Sequence, residues 1–155
     1  MKTIKGNLVN LALCGEFDVI IHGCNCFCTM GAGIAKQIRE RLPYAYTVDA
    51  VTDAGDKSKL GGYTSAITFF TSGHEITVIN AYTQYRYDGR KQGKIDVDYD
   101  AIRSAFKKLS KEYPDKRIGY PLIGAGLAGG DWDIISKIID EELEGLNHTL
   151  VEYDG

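Results

Sequence analysis

The stretch Asp18–Arg41, DVIIHGCNCFCTMGAGIAKQIRER, contains the succession of elements from which the fold is inferred. Its apolar run Val19–Ile21 predicts a buried strand, which ends in the polar segment His22–Asn25. A loop then leads into Gly31–Gly33, and the apolar residues of 34–42 recur at helical spacing. This succession places free backbone N–H groups and the positive end of a helix dipole at the carboxyl edge of a sheet. Open α/β sheets bind nucleotides and phosphates at that edge, so the stretch predicts a site for a phosphorylated small molecule.

The composition is typical of one globular domain spanning residues 1–155. Apolar residues make up 44% of the chain and charged residues 25%, and the length is sufficient for a sizeable core. The formal charge of −3 gives no general attraction to nucleic acid or to an anionic membrane. No apolar run approaches the roughly 20 residues that span a bilayer. The N-terminal MKTIKGNL lacks the apolar segment of a signal peptide, which predicts a cytoplasmic protein.

The four cysteines do not form the pattern of a disulfide framework, because Cys24, Cys26 and Cys28 crowd together and only Cys14 lies apart. Structural zinc sites generally take ligand pairs from two separate segments, and the sequence has no second cluster. We therefore predict small buried thiols and no metal site.

Hydrophobic periodicity predicts a mixed sheet flanked by helices. Strands are predicted at 3–6, 19–21, 63–70, 75–81, 117–120 and 148–153. Helices are predicted at 34–42, 43–50, 98–113 and 131–143, with a turn or brief helix near 8–12. The turn signal Ser72-Gly73 joins two of the strands into an antiparallel hairpin, and 82–96 is expected to be a polar loop. The fold class is α/β, a three-layer α/β/α domain with a central mixed sheet.

A second glycine loop, Gly124–Gly129, matches G-x-G-x-x-G between a predicted strand and a predicted helix. It does not indicate a Rossmann domain, because only one helix and one strand follow it. Glycines still let the backbone approach a diphosphate closely. The segments Thr29–Gly33 and Gly124–Gly130 are therefore predicted to flank one diphosphate, the alternative being that both are merely tight turns.

Taken together, these motifs resemble those of the macrodomain family over essentially the whole chain. The segments that carry the resemblance are Gly6-Asn7-Leu8, the strand followed by His22-Gly23-Cys24-Asn25, Met30–Ala35, Pro121–Leu127, and Asp131-Trp132. The resemblance implies ADP-ribose as the ligand and no cofactor. The most similar branch is Appr-1″-p processing, the ADP-ribose-1″-phosphate phosphatases, together with glycohydrolases of terminal ADP-ribose.

The resemblance also implies which residues contact the ligand. Asn7 falls where the family has its adenine-contacting acid, and Asn25 falls on the asparagine that contacts the distal ribose. Gly31–Ile34 and Gly124–Ala128 fall on the two loops around the ribose and the diphosphate. The expected ligand-binding residues are Asn7, Leu8, Cys24, Asn25, Gly31, Ala32, Gly33, Ile34, Ile123, Gly124, Ala125, Gly126, Leu127 and Ala128, with Asn80 and Tyr82 lining the distal end from the end of their strand.

Two residues are candidates for catalysis. His22 follows a predicted central strand beside the first loop, where it is suited to act as general acid, general base or phosphoryl acceptor. Its structural alternative is to hold the loop by hydrogen bonds. Asp131 is placed to orient water near a terminal phosphate, and its structural alternative is to cap the following helix.

A difference from some glycohydrolase macrodomains favours one reaction. Those proteins resemble this chain but form a lysine adduct just after the strand that here leads into Tyr82-Thr83-Gln84, and their paired aspartate corresponds to Ala128. The leading hypothesis is therefore a metal-independent phosphatase that converts ADP-ribose 1″-phosphate to ADP-ribose and phosphate, acting as a monomer.

Two alternatives remain open. One is a lysine-free glycohydrolase that removes ADP-ribose from protein or nucleic acid. An aromatic and basic strip would contact the polymer, but a solvated loop is the favoured interpretation of it; its members are Tyr85, Arg86, Tyr87, Arg90, Lys91 and Lys94. The other alternative is a reader that binds ADP-ribose without turnover.

Overall fold

A computed structural model describes residues 1–126 and 128–154, with the side chains of Arg90 and Lys91 excepted. Its centre is a six-stranded sheet in the order β1-β6-β5-β2-β4-β3. The strands are β1 Lys2–Gly6, β2 Val19–Cys24, β3 Tyr63–Phe69, β4 Glu75–Tyr82, β5 Ile118–Tyr120 and β6 His148–Tyr153. Neighbouring strands are parallel except for β3 and β4, which form the predicted antiparallel hairpin. The carboxyl ends of the five parallel strands therefore meet at one edge of the sheet.

Five helices cover the two faces of this sheet in the described part of the chain. They are α1 Leu8–Leu13, α2 Gly33–Arg41, α3 Pro43–Ala50, α4 Tyr99–Glu112 and α5 Trp132–Glu142, with 3₁₀ turns at Lys57–Lys59 and Gly89–Gln92. Asn7, Asp98 and Asp131 cap three of them, because each side-chain oxygen accepts a hydrogen bond from a first-turn N–H. None of the helices in the described residues is long and apolar enough to cross a membrane.

The central strand β2 is buried on both faces. Val19 and Ile21 pack into the core under α4 and α5, whereas Ile20 packs into the core under α1, α2 and α3. Successive side chains of a strand point to opposite faces, so one apolar run supplies both cores. The predicted three-layer α/β/α fold with a mixed sheet is confirmed.

The structure differs from the sequence prediction at the end of β2. The segment His22–Cys24 was expected to follow the strand, but it pairs in register with Asn80–Tyr82 of β4 and belongs to the strand. Because the side chains of a strand alternate between its faces, this extension decides where the histidine points.

Candidate ligand-binding site

A cavity of about 550 Å³ opens at the carboxyl edge of the sheet. Its walls come from the ends of the parallel strands β2, β4 and β6, from the start of α2 and from the connection between β5 and α5. The lining residues are Gly23, Cys24, Asn25, Thr29, Gly31, Ala32, Gly33, Ile34, Ala35, Gln84, Tyr87, Pro121, Leu122, Ile123, Gly124, Gly126, Ala128, Val151 and Tyr153. The two glycine loops that the sequence singled out thus face one common space.

The start of α2 forms one wall of this cavity. Its N-cap residue, Ala32, makes no side-chain hydrogen bond, and the first turn contains no acidic residue. The first N–H groups of a helix have no partner within the helix, so those of α2 are available to an anion in the cavity. Gly33 adopts φ +58°, a conformation that other residues rarely take, and this turns the chain from the loop into the helix.

The second glycine loop is closed by its own backbone. Gly130 N–H donates to the carbonyl of Gly124 over 2.7 Å, and Gly129 N–H donates to the carbonyl of Gly126 over 3.1 Å. Gly124 adopts φ +73° to permit this closure. Gly124, Gly126 and Ala128 line the cavity, whereas Ala125 packs against the core. Leu127 lies outside the described residues.

Asn25 holds the first loop in shape. Its Oδ1 accepts from the N–H of Phe27 over 2.8 Å, and its Nδ2 donates to Thr29 Oγ1 over 2.6 Å. Both ends of the amide are therefore engaged within the loop, and Asn25 and Thr29 both line the cavity. Thr29 retains a hydroxyl proton that it can donate to a ligand hydroxyl or phosphate.

His22 lies outside the lining and is fully buried on the α3 side of β2. Its Nε2 is 2.6 Å from Asn80 Oδ1, and Asn80 Nδ2 donates to the carbonyl of Ala45 over 2.9 Å. Because that carbonyl can only accept, the amide orientation of Asn80 is set, and His22 must carry its proton on Nε2. Burial lowers the pKa of His22 to about 4.

The structure places His22 away from the cavity, and its role in proton transfer at the ligand stays a prediction. The imidazole has no exposed surface and ends in a network of buried hydrogen bonds rather than in the cavity. The network continues through Asn80 and Thr64 to the Tyr82 hydroxyl, which donates to Asp49 over 2.7 Å. Asn80 and Tyr82, which were expected to line the distal pocket, belong to this network and are not among the described lining residues.

Three further expected site residues also lie outside the lining. Asn7 caps α1 through the N–H of Asn10 and donates to Gln37, so its amide oxygen is already engaged. Leu8 is buried in the core. Asp131 accepts from the N–H of Asp133 as the cap of α5, which is the structural alternative recognised from the sequence.

Gly23 lets β2 pack closely against the residue that follows β4 at this edge of the sheet. A Cβ atom at this position would lie 2.7 Å from Thr83 Oγ1 and 3.2 Å from Ile123 Cγ2. Thr83 Oγ1 is buried and finds no hydrogen-bond partner among the described residues. Glycine is therefore required here by close packing and not by an unusual backbone angle.

The sequence model of the Macro domain family matches residues 21–139, which is most of the chain. The protein belongs to the Macro domain family.

The macrodomain has relatives over nearly its whole length. It is 35% identical to a 17.5 kDa protein of Enterobacteria phage T4, described as uncharacterized and encoded in the tk-vs intergenic region, over 99% of this chain and 97% of the phage protein. It is 24% identical to the ADP-ribose 1″-phosphate phosphatase of Debaryomyces hansenii, over 91% of this chain and 93% of the yeast protein. It is 23% identical to the ADP-ribose glycohydrolase OARD1 of Bos taurus, over 97% of this chain and 88% of that protein.

Solved structures show the same fold. The macrodomain of Mycobacterium tuberculosis DarG superposes with a TM-score of 0.74 at 18% identity, covering 98% of this chain and 95% of that one. Thermosipho africanus DarTG, solved in complex with ADP-ribose, superposes with a TM-score of 0.69 at 19% identity, covering 89% of this chain and 38% of that one.

Sequence reasoning missed several residues that line the cavity of this macrodomain. Tyr153 and Val151 end β6, and Gln84 follows β4, so the parallel arrangement of these strands brings all three to the edge where the loops lie. The sequence predicted where β4 and β6 end, but it did not predict which strands lie beside them in the sheet. Tyr153 is 67% exposed and presents a ring at one end of the cavity.

The described lining residues include no Asp, Glu, Lys, Arg or His side chain. Nor do the described residues of the macrodomain contain a group of three His, Cys, Asp or Glu side chains arranged to hold a metal ion. Among the lining residues that the structure describes, the cavity offers backbone amides, hydroxyls and two side-chain amides.

The aromatic part of the strip 85–94 packs on the macrodomain itself. Phe27 contacts both Tyr85 and Tyr87 edge-on, with ring centroids 4.9 and 6.0 Å away, and the Tyr85 hydroxyl donates to the carbonyl of Gly55. Tyr85 is therefore anchored at its hydroxyl and at its contact with Phe27. The side chains of Arg90 and Lys91 lie outside the described residues, and the nucleic-acid contact stays the less favoured alternative to a solvated loop.

Proposed function

We propose that this macrodomain binds ADP-ribose in the cavity and hydrolyses ADP-ribose 1″-phosphate to ADP-ribose and phosphate, without a metal ion. One observation carries the proposal: the uncapped start of α2 and the loop Gly124–Gly130 face one cavity whose described lining contains no charged side chain. Such a site suits a diphosphate held by backbone N–H groups. The phosphatase of D. hansenii and the ADP-ribose complex of T. africanus DarTG are similar to this chain and support the choice of ligand.

The order of the strands suggests how the ligand lies. From β6 through β5 and β2 to β4 there are three strand spacings, or about 14 Å, along which an extended diphosphate-linked molecule would lie. Tyr153 stands at the β6 end and offers a ring on which the adenine stacks. The diphosphate then lies between the two glycine loops, and the distal ribose reaches Asn25 and Thr29.

The proposed reaction relies on electrostatic stabilisation and positioning. Phosphoryl transfer asks little covalent chemistry of the protein, and donors fixed before the reaction stabilise charge on the transferring group. The backbone N–H groups at Gly31–Ile34 supply such donors together with the positive end of the α2 dipole. The Thr29 hydroxyl adds a side-chain donor at the distal end.

Replacing Gly31 by aspartate is expected to weaken ADP-ribose binding by about 2 kcal/mol, or roughly thirtyfold, because a carboxylate would face the diphosphate. A Cβ atom at Gly31 meets nothing within 4 Å, so the side chain is accommodated without strain. A negative charge before the start of α2 also favours the helix, so thermal stability should be retained. Isothermal titration calorimetry with ADP-ribose measures the effect.

The matched control for this prediction is Gly31→Asn, which has the same shape without the charge. It should bind ADP-ribose more tightly than Gly31→Asp by most of the expected difference. Equal affinity of the aspartate and asparagine variants would show that no anionic group lies at the start of α2.

Turnover is tested by phosphate release from ADP-ribose 1″-phosphate, measured with and without EDTA. We expect release that EDTA does not abolish. Absence of release from a protein that binds ADP-ribose would contradict the phosphatase assignment while leaving the binding site in place.

A second candidate function is recognition of ADP-ribose without turnover. It is favoured by one observation, that the described lining residues provide no carboxylate, histidine or lysine to move a proton. The same pair of measurements separates the two functions, since a reader binds ADP-ribose but releases no phosphate.

A further inference from the structure

We propose that Gln84 is the residue that positions the attacking water in the phosphatase reaction, with its Oε1 as the acceptor. The inference rests on the proposed function and deepens it, because it assigns the nucleophile's place at the β4 end of the cavity. Gln84 lines the cavity directly after β4, next to the region assigned above to the distal ribose.

The side chain of Gln84 is held in one orientation. Its Nε2 donates to the carbonyl of Arg86 over 2.7 Å, which leaves Oε1 at the other end of the amide without a partner among the described residues. The backbone of Gln84 is fixed as well, through a bridge to Val97 and through the Cys26 thiol, which donates to the Gln84 carbonyl. An acceptor held in this way orients water without first having to be ordered itself.

The other polar side chains of the described lining suit this role less well. The Asn25 amide is engaged at both ends within its loop, and Thr29 Oγ1 already accepts from Asn25. Tyr153 lies at the opposite end of the cavity, by β6. Tyr87 is 55% exposed, so its hydroxyl is less restrained than the half-buried amide of Gln84.

The proposed step needs hydrogen-bond donors for the phosphate oxygens and one acceptor for the attacking water. The backbone N–H groups of the glycine loops can only donate, which suits phosphate oxygens but leaves a water molecule without orientation. Oε1 accepts a hydrogen bond from the water and turns its lone pair toward phosphorus. The water oxygen then bonds to phosphorus as the bond from phosphorus to the ribose oxygen breaks. One water proton leaves in the released phosphate, and the other reaches the ribose oxygen through solvent.

Two substitutions separate the acceptor from the hydrogen bond to Arg86. Gln84→Leu removes both, whereas Gln84→Glu removes the donor but keeps an oxygen facing the water. We expect Gln84→Leu to lower kcat about a hundredfold with KM changed less than about twofold. Gln84→Glu should retain much of the activity across the pH series, because the ionised and the protonated carboxyl group both present an acceptor oxygen to the water. Gln92→Leu, on the same connection but outside the lining, is the control and should behave as the parent does.

The experiment is steady-state phosphate release from ADP-ribose 1″-phosphate over a pH series, with thermal midpoints and ADP-ribose affinities for all four proteins. Near-parental kcat in Gln84→Leu would overturn the role of Gln84 and leave the phosphatase function standing. Equal losses in Gln84→Leu and Gln84→Glu, with lowered thermal midpoints, would overturn it as well, because they would indicate a purely structural tether. A parent that binds ADP-ribose but releases no phosphate would overturn the proposed function, and the inference about Gln84 with it.

Discussion

Lowering the pH from 6.5 to 4 is expected to reduce the free energy of unfolding by about 3 kcal/mol through a single buried side chain, His22. Burial lowers the pKa of His22 from 6.5 to about 4, so between these values the unfolded chain binds a proton that the folded protein does not. The free energy of unfolding therefore falls by about 1.4 kcal/mol for each pH unit in this window. The contribution of neutral His22 is fully present above pH 6.5 and is lost as the pH approaches 4.

The measurement is a series of urea unfolding curves between pH 7 and pH 4 for the parent and for His22→Gln. Glutamine keeps an amide N–H close to where Nε2 donates to Asn80, but it does not titrate. Every other titrating group is common to both proteins, including His148, whose pKa burial also lowers. The difference between the free energies of unfolding of the two proteins, plotted against pH, isolates the contribution of His22. A difference that does not change between pH 6.5 and pH 4 would show that the imidazole is not buried as the structure has it.

Replacing Gly130 by alanine is expected to destabilise the protein by about 2–3 kcal/mol and to weaken ADP-ribose binding. A Cβ atom there would lie 2.6 Å from the carbonyl oxygen of Gly124, 2.6 Å from Val97 Cγ1 and 2.9 Å from Ile135 Cδ1. The carbonyl is backbone and cannot rotate away, so the hydrogen bond from Gly130 N–H to Gly124 has to break. Because Gly124 lines the cavity, a displacement of its carbonyl also displaces this wall of the site.

Gly126→Ala provides the matched control on the same loop. A Cβ atom at Gly126 meets nothing within 4 Å, and its backbone is not in the left-handed region, so its stability should stay within about 0.5 kcal/mol of the parent. Urea unfolding of both variants and calorimetry of Gly130→Ala test the prediction. Similar stabilities for the two variants would mean that the loop does not close through Gly130.

Local sequence predicted the elements of this fold well because their signals lie within a few residues of each other. The run Val19–Ile21, the apolar spacing of α4 and the cap Asp131 each indicate an element without reference to the rest of the chain. The end of β2 was harder to predict, because His22–Cys24 become strand only through pairing with β4, more than fifty residues later.

The candidate site shows the same difference between features that local sequence decides and features that strand pairing decides. The conformations open to glycine follow from the residue type, and the sequence therefore placed Gly31–Ile34 and Gly124–Ala128 at the ligand. Of those that the structure describes, all but Ala125 line the cavity. The use of a polar side chain depends on which way its strand faces and on what lies across from it. His22, Asn80 and Tyr82 were expected at the ligand, and the register of β2 with β4 directs them into the buried network under α3 instead.

By itself the sequence determined the α/β class and the two strand–loop–helix corners, because short-range spacing and glycine content decide these features. Only the tertiary structure decided which side chains complete the cavity. Gln84 follows β4 and Tyr153 ends β6, and they face one space because the sheet order sets β4 and β6 on either side of β2 and β5.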